Sequence, residues 1–111
     1  MKLFGRRSAR KDEQRATAEF LEEWVSTRRG VEVFVEPKTA VTGVSMLLVA
    51  HDGEFTRRLV GSPEAARTFA RTHALPIYDA TVVGYPQRMR DYSRRQVILQ
   101  QRAEREALGD T

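Results

Sequence analysis

The sequence predicts a small α+β domain: a three- to four-stranded, mainly antiparallel sheet with one packed helix, flanked by an N-terminal and a C-terminal helix. Apolar side chains alternate or cluster in residues 31–36 and 43–60 in the manner of β-strands. The dipeptide Asp52-Gly53 between two apolar runs is the strongest local signal for a hairpin. Apolar residues at helical spacing lie on both sides of these strands. The length of 111 residues fits one domain.

The N-terminal third is predicted to contain an arm and a helix. Residues 1–11 show no apolar periodicity and are predicted to form a flexible basic arm. A helical pattern starts at residue 12 and predicts a helix over residues 12–29, and Gly30 suits the left-handed position that ends many helices. Four apolar side chains share one face of this helix: Phe20, Leu21, Trp24 and Val25.

Three strands are predicted next. The first, at about residues 31–36, alternates valine with glutamate and phenylalanine. The apolar run at about residues 43–51 suits a central strand, and a third strand is predicted at about residues 54–60. A two-residue turn between them pairs Ala50 with Phe55, whereas a bulged turn shifts every partner by one residue.

A second helix is predicted over residues 63–74. Ser62 can cap free backbone N–H groups, and Pro63 in the first turn has no N–H that needs a partner. A short strand is predicted at residues 77–79, followed by a connection at residues 81–84. The chain thus divides into a basic arm, a single α+β domain and a basic C-terminal helix or tail: residues 1–11, 12–84 and 85–111.

Basic residues are concentrated at the two ends, and the net charge is +4. Residues 1–30 carry eight basic and five acidic side chains, residues 31–84 carry five and six, and residues 85–111 carry six and four. Basic ends suit nucleic acid or an anionic surface. Solvated helix surface is the simpler explanation.

No catalytic or cofactor motif occurs in the sequence. The absence of cysteine excludes disulfides, thiolate metal ligands and cysteine nucleophiles. The two histidines, His51 and His73, have no recognised metal-ligand spacing, and neither a nucleophile elbow nor a phosphate-binding glycine loop is present. We therefore predict a protein that is not an enzyme and has no cofactor, metal or small-molecule ligand. An enzyme with an unrecognised site around His51 is the minor alternative.

The sequence also predicts no membrane span and a cytoplasmic location. There is no run of about 18 apolar residues, and the basic start of the chain is not followed by the apolar stretch of a signal peptide.

The leading functional hypothesis is a non-enzymatic binding protein that contacts RNA, DNA or a ribonucleoprotein through its arginine-rich ends. Arginine holds phosphates in a bidentate manner, and the planes of arginine and tyrosine stack on unpaired bases. The candidate nucleic-acid-binding residues are Arg88, Arg90, Tyr92, Arg94 and Arg95 near the C-terminus, and Arg6, Arg7, Arg10 and Lys11 in the arm.

The alternative hypothesis is a protein–protein interaction or homodimerisation module that uses apolar helix stripes. Aromatic residues and arginine dominate the energetics of many interfaces. The candidate residues are Phe20, Leu21, Trp24, Val25, Met89 and Leu99. For the first helix, burial in the domain's own core is the simpler explanation.

Three stretches carry a resemblance to a known family. They are Glu23-Trp24-Val25 with Arg28-Arg29-Gly30-Val31-Glu32, Val49-Ala50-His51-Asp52-Gly53-Glu54, and Gly84-Tyr85-Pro86-Gln87-Arg88-Met89-Arg90-Asp91-Tyr92. In them the chain resembles a family of small proteins from high-GC Gram-positive (actinobacterial) bacteria, over about residues 12–95. No activity is established for that family, so the resemblance implies no activity, cofactor or site residue.

Overall fold

The computed structural model describes the backbone of residues 2–37, 39 and 43–109, and side chains from Ser8 onward. In this part of the chain the element order is α1 (Lys2–Ser26), β1 (Glu32–Glu36), β2 (Ser45–Val49), β3 (Phe55–Leu59), α2 (Pro63–Thr72), β4 (Ile77–Asp79), α3 (Ala80–Val83) and α4 (Gln87–Ala107). The four strands form one sheet in the order β3-β2-β1-β4. The predicted α+β class is confirmed.

The sheet is mostly antiparallel, as predicted. β1 pairs antiparallel with β2, and β2 pairs antiparallel with β3. β4 pairs parallel with β1 at the opposite edge from β3. The parallel pair arises because α2 carries the chain from one edge of the sheet to the other, a crossover that a tight turn cannot make.

Both faces of the sheet are covered, and β2 lies between the two layers. All five residues of β2 are buried, which agrees with the central strand that its apolar run predicts. The side packed on α1 and α2 is called the α1 face, and its buried residues are Leu21, Trp24, Val31, Val33, Met46, Leu48, Ala50, Ala66 and Ala70. The opposite side is called the α4 face, and its buried residues are Phe34, Leu47, Val49 and Ala80.

α1 differs from its prediction at both ends. It begins at Lys2, so its backbone includes most of the segment 1–11 for which the sequence predicts a flexible basic arm. This segment contains alanine, leucine, arginine and lysine, which have high helix propensity, and it contains no proline. Helix propensity therefore favours a helix here although the segment has no apolar stripe. The helix ends at Ser26 rather than at residue 29, because the Ser26 and Thr27 hydroxyls donate to the Glu23 carbonyl at 2.8 and 2.9 Å.

The hairpin between β2 and β3 has the register that is shifted by one residue, so the prediction of a two-residue turn is wrong. Val49 lies opposite Phe55, and the Ala50 N–H donates to the Glu54 carbonyl at 2.8 Å. The loop therefore has three residues and ends on Gly53, whose φ of +95° is the left-handed conformation that such a loop requires. The shift places Arg57 on the α4 face rather than beside Leu48.

The remaining elements follow the local signals closely. α2 begins as predicted, with the Ser62 hydroxyl accepting the Ala65 N–H at 3.2 Å. It ends at Thr72, two residues before its predicted end, and Ala74 takes a positive φ of 53° just beyond it. The connection predicted at residues 81–84 contains the single turn α3, which forms because Asp79 caps the Thr81 N–H at 2.8 Å.

Candidate interaction surface

The tip of the β2–β3 hairpin is held against the end of α1. The guanidinium of Arg28 donates to both carboxylate oxygens of Glu54, at 3.0 and 2.8 Å, and lies 4.3 Å from the Trp24 ring centroid. The His51 N–H donates to the Arg29 carbonyl at 2.9 Å. The hydrogen bond to Glu54 raises the pKa of Arg28 above its ordinary value, against a smaller opposing effect of burial. The tip is therefore a fixed support and not a free loop.

α4 is seated on the other side of the same tip. Arg88 donates from Nε to the Ala50 carbonyl at 2.9 Å and from Nη2 to the Glu32 carboxylate. Arg95 donates to the Asp52 carbonyl at 2.9 Å. Gly53 is buried under the backbone of Arg88, where a Cβ atom would lie only 1.9 Å from the Arg88 carbonyl oxygen. Only a glycine lets α4 approach this closely.

A second polar contact fixes the chain just before α4. Arg57 on β3 donates to both oxygens of Glu36 on β1, at 2.6 and 3.0 Å, and the Tyr85 hydroxyl donates to the same carboxylate. Burial opposes ionisation of Glu36, but the hydrogen bonds from Arg57 and Tyr85 outweigh it and hold the pKa of Glu36 below its ordinary value. The hydrogen bond to Glu36, with burial, raises the pKa of Tyr85.

Both carboxylates of β1 therefore serve to attach the α4 region. Glu32 and Glu36 stand on the α4 face, on either side of Phe34. Hydrogen bonding to the Glu32 carboxylate also raises the pKa of Tyr78, whose ring lies 5.3 Å from that of Phe34. Each of the two carboxylates is thus ion-paired to an arginine, Glu32 to Arg88 and Glu36 to Arg57.

Because these contacts attach α4 to the sheet, few of the predicted nucleic-acid-binding residues are free. Arg88 and Arg95 dock α4, and Tyr92 lies beneath Arg95 with its ring centroid 6.0 Å from the guanidinium. Arg90 is exposed, and its only hydrogen bonds to described residues go to the neutral amide of Gln87, at 2.7 and 3.0 Å. Arg94 is exposed, and no hydrogen bond or ion pair of it occurs within residues 8–37, 39 and 43–109.

The predicted arm contributes a second set of cations. Arg10 and Lys11 are exposed on α1. The backbone of Arg6 and Arg7 belongs to α1, and their side chains lie outside the described part of the chain. The structure therefore brings Arg90 and Arg94 together on one helix and places Arg10 and Lys11 on another.

The residues of the predicted interaction stripes differ in how deeply they are buried. Leu21 and Trp24 are only 2% and 6% exposed in the core, and Val25 packs against them. Phe20 stays 37% exposed, with the Arg58 guanidinium 4.0 Å from its ring centroid. The first helix stripe thus belongs to the domain's own core, with Phe20 at its edge. Met89 is half-buried against the α4 face.

The last part of α4 is a free helix with apolar side chains. No residue of α4 is buried, and every residue from 93 to 109 is exposed. Three consecutive large apolar residues lie here, with Val97 53%, Ile98 41% and Leu99 53% exposed. We call residues 96–107 the distal α4. Along this segment the only side-chain hydrogen bond of the described chain is internal, from Gln100 to Glu104.

A groove lies at the far end of the sheet from the hairpin tip. It has a volume of about 950 Å³ and runs between α1, α2 and the edge strand β3. Its lining combines apolar Val60, Ala65 and Phe69 with charged Glu13, Arg57 and Arg58. Leu21 and Met46 also border it, but they are only 2% and 0% exposed. Leu59, 60% exposed, stands at its mouth. We call it the α1–α2 groove.

Charge is unevenly placed between the two long helices. Residues 12–26 of α1 carry five acidic side chains and one basic side chain. Residues 94–105 of α4 carry four arginines and one glutamate. Residues 2–11 of α1 add five basic side chains and no acidic one, so α1 as a whole is not acidic.

The histidines take part in ordinary local contacts. His51 Nδ1 lies 3.3 Å from the Arg29 carbonyl oxygen, and the ring of His73 lies 4.5 Å from that of Phe69. Within the described ranges, no group of three or more His, Asp or Glu side chains is arranged to hold a metal ion. In the same part of the chain, no helix is long and apolar enough to cross a membrane.

Comparison with known proteins adds no relative: no family model, no curated protein and no solved structure matches this chain. The resemblance to an actinobacterial family therefore stays a prediction.

Proposed function

We propose that this chain is a non-enzymatic protein-interaction module whose contact element is the distal α4. The observation that carries the proposal is the run Val97-Ile98-Leu99, three large apolar side chains exposed on the part of α4 that lies beyond its contacts with the sheet. Successive residues of a helix are about 100° apart, so these three surround the helix instead of forming one stripe. The other nine residues of the distal α4 are glutamine, arginine, glutamate and alanine, so these three side chains form a local exposed apolar patch, which is typical of an interaction site.

The stability of the distal α4 supports the same proposal. A helix of 12–15 residues is marginal in water without tertiary packing. The distal α4, residues 96–107, continues the docked first half of the 21-residue α4 but has no packing on the sheet itself. A partner that covers Ile98 and Leu99 would supply the missing burial, about 1.5–3 kcal/mol for each side chain.

The test is capture of partners from the native cell extract after nuclease treatment. We expect the wild-type chain and the variant Val82→Asp to retain the same protein. Val82 is a matched control because it is an exposed valine outside α4. Leu99→Asp should lower retention at least about tenfold, since a central apolar anchor contributes more than 1.4 kcal/mol to binding. Equal retention by Leu99→Asp and the control would overturn the proposal.

Contact with nucleic acid is the second candidate function. It is favoured by the exposure of Arg90 and Arg94, which lie one turn apart on α4 and are not neutralised by a carboxylate in the described part of the chain. Arg10 and Lys11 would add phosphate contacts from α1. Arg88, Tyr92 and Arg95 contribute less than the sequence predicts, because they hold α4 to the hairpin tip.

Salt dependence tests this second candidate. If several arginines hold phosphates, retention on RNA or DNA should fall steeply between about 50 and 200 mM salt. Replacing Arg90 and Arg94 together by alanine should weaken binding, whereas Arg71→Ala on α2 should not. Binding that is absent at low salt, or equal in the two variants, would exclude the candidate.

A further inference from the structure

We infer that the edge strand β3 is a further interaction surface, which takes up an extended acidic segment of another protein as an additional strand of the sheet. This surface is separate from the distal α4, so the inference goes beyond the proposed function. Its starting point is the position of β3, which has a neighbouring strand on one side only within the described part of the chain.

Every second residue of β3 turns its backbone away from β2. At the end of this ladder the Val60 N–H donates to the Val44 carbonyl at 3.0 Å. Hydrogen-bonded pairs alternate along an antiparallel ladder, so the backbone N–H and C=O groups of Phe55, Arg57 and Leu59 point outwards. An extended chain that lies along β3 can pair with these groups, which is how a peptide binds by strand addition.

The length and exposure of β3 also suit an added strand. β3 has five residues in unbroken register and contains no proline, whereas β4 at the opposite edge has three residues and continues directly into α3. Leu59 is 60% exposed, and the side chain of Arg57 is 49% exposed. Native edge strands are protected by shortness, proline, bulges, covering elements or charge, and the protection visible in β3 is charge.

The charge on this edge is positive. Arg57 and Arg58 point to opposite faces of the sheet, because side chains alternate along a strand. Arg57 is ion-paired with Glu36. Arg58 makes no ion pair with any described residue, and its guanidinium donates to the Thr56 hydroxyl at 3.5 Å and to the Arg57 carbonyl at 2.9 Å. A carboxylate on an added strand can therefore pair with Arg58 without displacing a carboxylate of this chain.

The same charges disfavour a second copy of β3 as the added strand. If two β3 strands pair antiparallel about Arg57, the two Arg57 side chains lie directly opposite each other. If the centre of pairing moves one residue towards Leu59, the two Arg58 side chains lie opposite each other instead. Like charges in these positions destabilise a pair of strands, whereas an acidic strand meets opposite charge in both registers. We therefore assign the edge to an acidic segment of a different protein.

The edge also predicts the pattern of that segment. In antiparallel pairing, the positions opposite Leu59 and Phe55 suit apolar side chains. The positions opposite Arg58 and Arg57 suit carboxylates. The simplest probe is therefore a fluorescent peptide with the sequence Val-Glu-Glu-Thr-Val and blocked ends, in which threonine lies opposite Thr56 and every apolar position has high β propensity.

Fluorescence anisotropy of this peptide with the full-length chain is the first test. We expect saturable binding that weakens as the salt concentration rises. Arg58→Glu should lower the affinity at least about tenfold, whereas Arg58→Lys, which keeps the charge, should bind nearly as the wild type does. Arg71→Glu is the matched charge reversal on an exposed position of α2 and should leave binding unchanged, as should Leu99→Asp on the distal α4. Circular dichroism of each variant should match that of the wild type.

Methylation of the peptide backbone separates strand pairing from charge attraction. The N–H of the second glutamate, opposite Arg57, points towards β3, whereas the N–H of the first glutamate, opposite Arg58, points away. N-methylation of the second glutamate should therefore abolish binding, and N-methylation of the first should preserve it. Bound peptide should also protect the amides of Phe55, Arg57 and Leu59 from hydrogen exchange.

Four outcomes overturn the inference. The wild-type chain does not bind the peptide at concentrations up to about 1 mM. Arg58→Glu binds the peptide as tightly as the wild type. The two N-methylated peptides lose the same affinity, which means that charge alone attracts them. The amides of Phe55, Arg57 and Leu59 become protected at high protein concentration without peptide, which means that β3 pairs with a second copy.

Discussion

Gly53 is the residue that sets the distance between α4 and the sheet. Its φ of +95° is one that L side chains rarely adopt, and a Cβ atom there would meet the Arg88 carbonyl oxygen at 1.9 Å and the Tyr92 Cβ at 2.9 Å. Backbone conformation and packing therefore both require glycine at this position. The Asp52-Gly53 turn signal reveals the first requirement, and only the docked α4 reveals the second.

Gly61 separates these two requirements by experiment. It also has a positive φ, +86°, but nothing lies within 4 Å of its added Cβ. We expect Gly61→Ala to destabilise the fold by about 1 kcal/mol through backbone strain alone. Gly53→Ala should cost about 1–3 kcal/mol more, because α4 must move. Urea unfolding followed by circular dichroism measures both; equal losses would show that Gly53 has no packing role.

Glu36 makes the fold sensitive to acid. Its pKa is lower in the folded chain than in the unfolded chain, so unfolding takes up a proton. The stability that this difference contributes is complete above the ordinary glutamate pKa of about 4.3 and is lost as the pH falls below it.

A pH series with Glu36→Gln tests this contribution. Wild type should be more stable than Glu36→Gln at neutral pH, and the difference in free energy of unfolding should shrink as the pH falls below about 4. Glu64→Gln is the control, because Glu64 makes only an exposed pair with Arg67 and such pairs contribute little. A difference between wild type and Glu36→Gln that stays constant with pH would contradict the assignment.

At the scale of elements, α4 is attached mainly by polar contacts. Met89 is its one side chain packed against the apolar residues of the α4 face, and no residue of α4 is buried. Arg88 supplies the central contact, since it joins the carboxylate of Glu32 to the Ala50 carbonyl at the base of the hairpin tip. An element held in this way opens more readily than the sheet beneath it.

Replacing Arg88 should loosen α4 without unfolding the sheet. Arg88→Ala removes hydrogen bonds that join a charged group to a half-exposed carboxylate, so we expect a loss of about 1–2 kcal/mol. Hydrogen exchange should rise in residues 85–95 and stay low in β2. Arg90→Ala is the matched control on the same helix and should change stability by less than about 0.5 kcal/mol. The same exchange in both variants would contradict the role of Arg88.

Local signals predict most elements of this fold, because their physical causes are local. Alternation in β1, the apolar run of β2 and the Ser62-Pro63 start of α2 all depend on neighbouring residues. The hairpin register is different. The sequence is compatible with both a two-residue and a three-residue loop. In the structure the three-residue loop occurs together with the packing of Gly53 against α4.

The attachment of α4 is not predictable in the same way. Glu32, Glu36 and Arg57 look like solvated strand residues in the sequence, and their partners lie 21 to 56 residues away along the chain. One signal was available: two glutamates flanking Phe34 on one side of a strand demand cationic partners once that side is covered. The spacing alone does not identify Arg57 and Arg88 as those partners.

At the scale of the whole molecule, the chain is extended for its length. Its radius of gyration is 17.4 Å, whereas a compact chain of this length has a radius of about 13 Å. The excess comes from helices that continue past the sheet, α1 at the groove end and α4 at the hairpin tip. Apolar side chains on such an extension add exposed apolar surface to a protein whose core is small. Association that buries these side chains removes the unfavourable exposure.

Hydrogen exchange along the distal α4 reports this association directly. Backbone amides of residues 97–107 should be protected in the wild type bound to its captured partner, because packing against that partner stabilises a helix segment that is exposed in the free chain. In Leu99→Asp the same amides should exchange rapidly while those of β2 stay protected, and in Val82→Asp the wild-type pattern should persist. Removal of the captured partner from the wild type should reproduce the Leu99→Asp pattern, since only the bound chain gains this protection. Protection in residues 97–107 that is equal in the wild type and Leu99→Asp at every concentration would mean that the distal α4 is stable by itself and has no need of a partner.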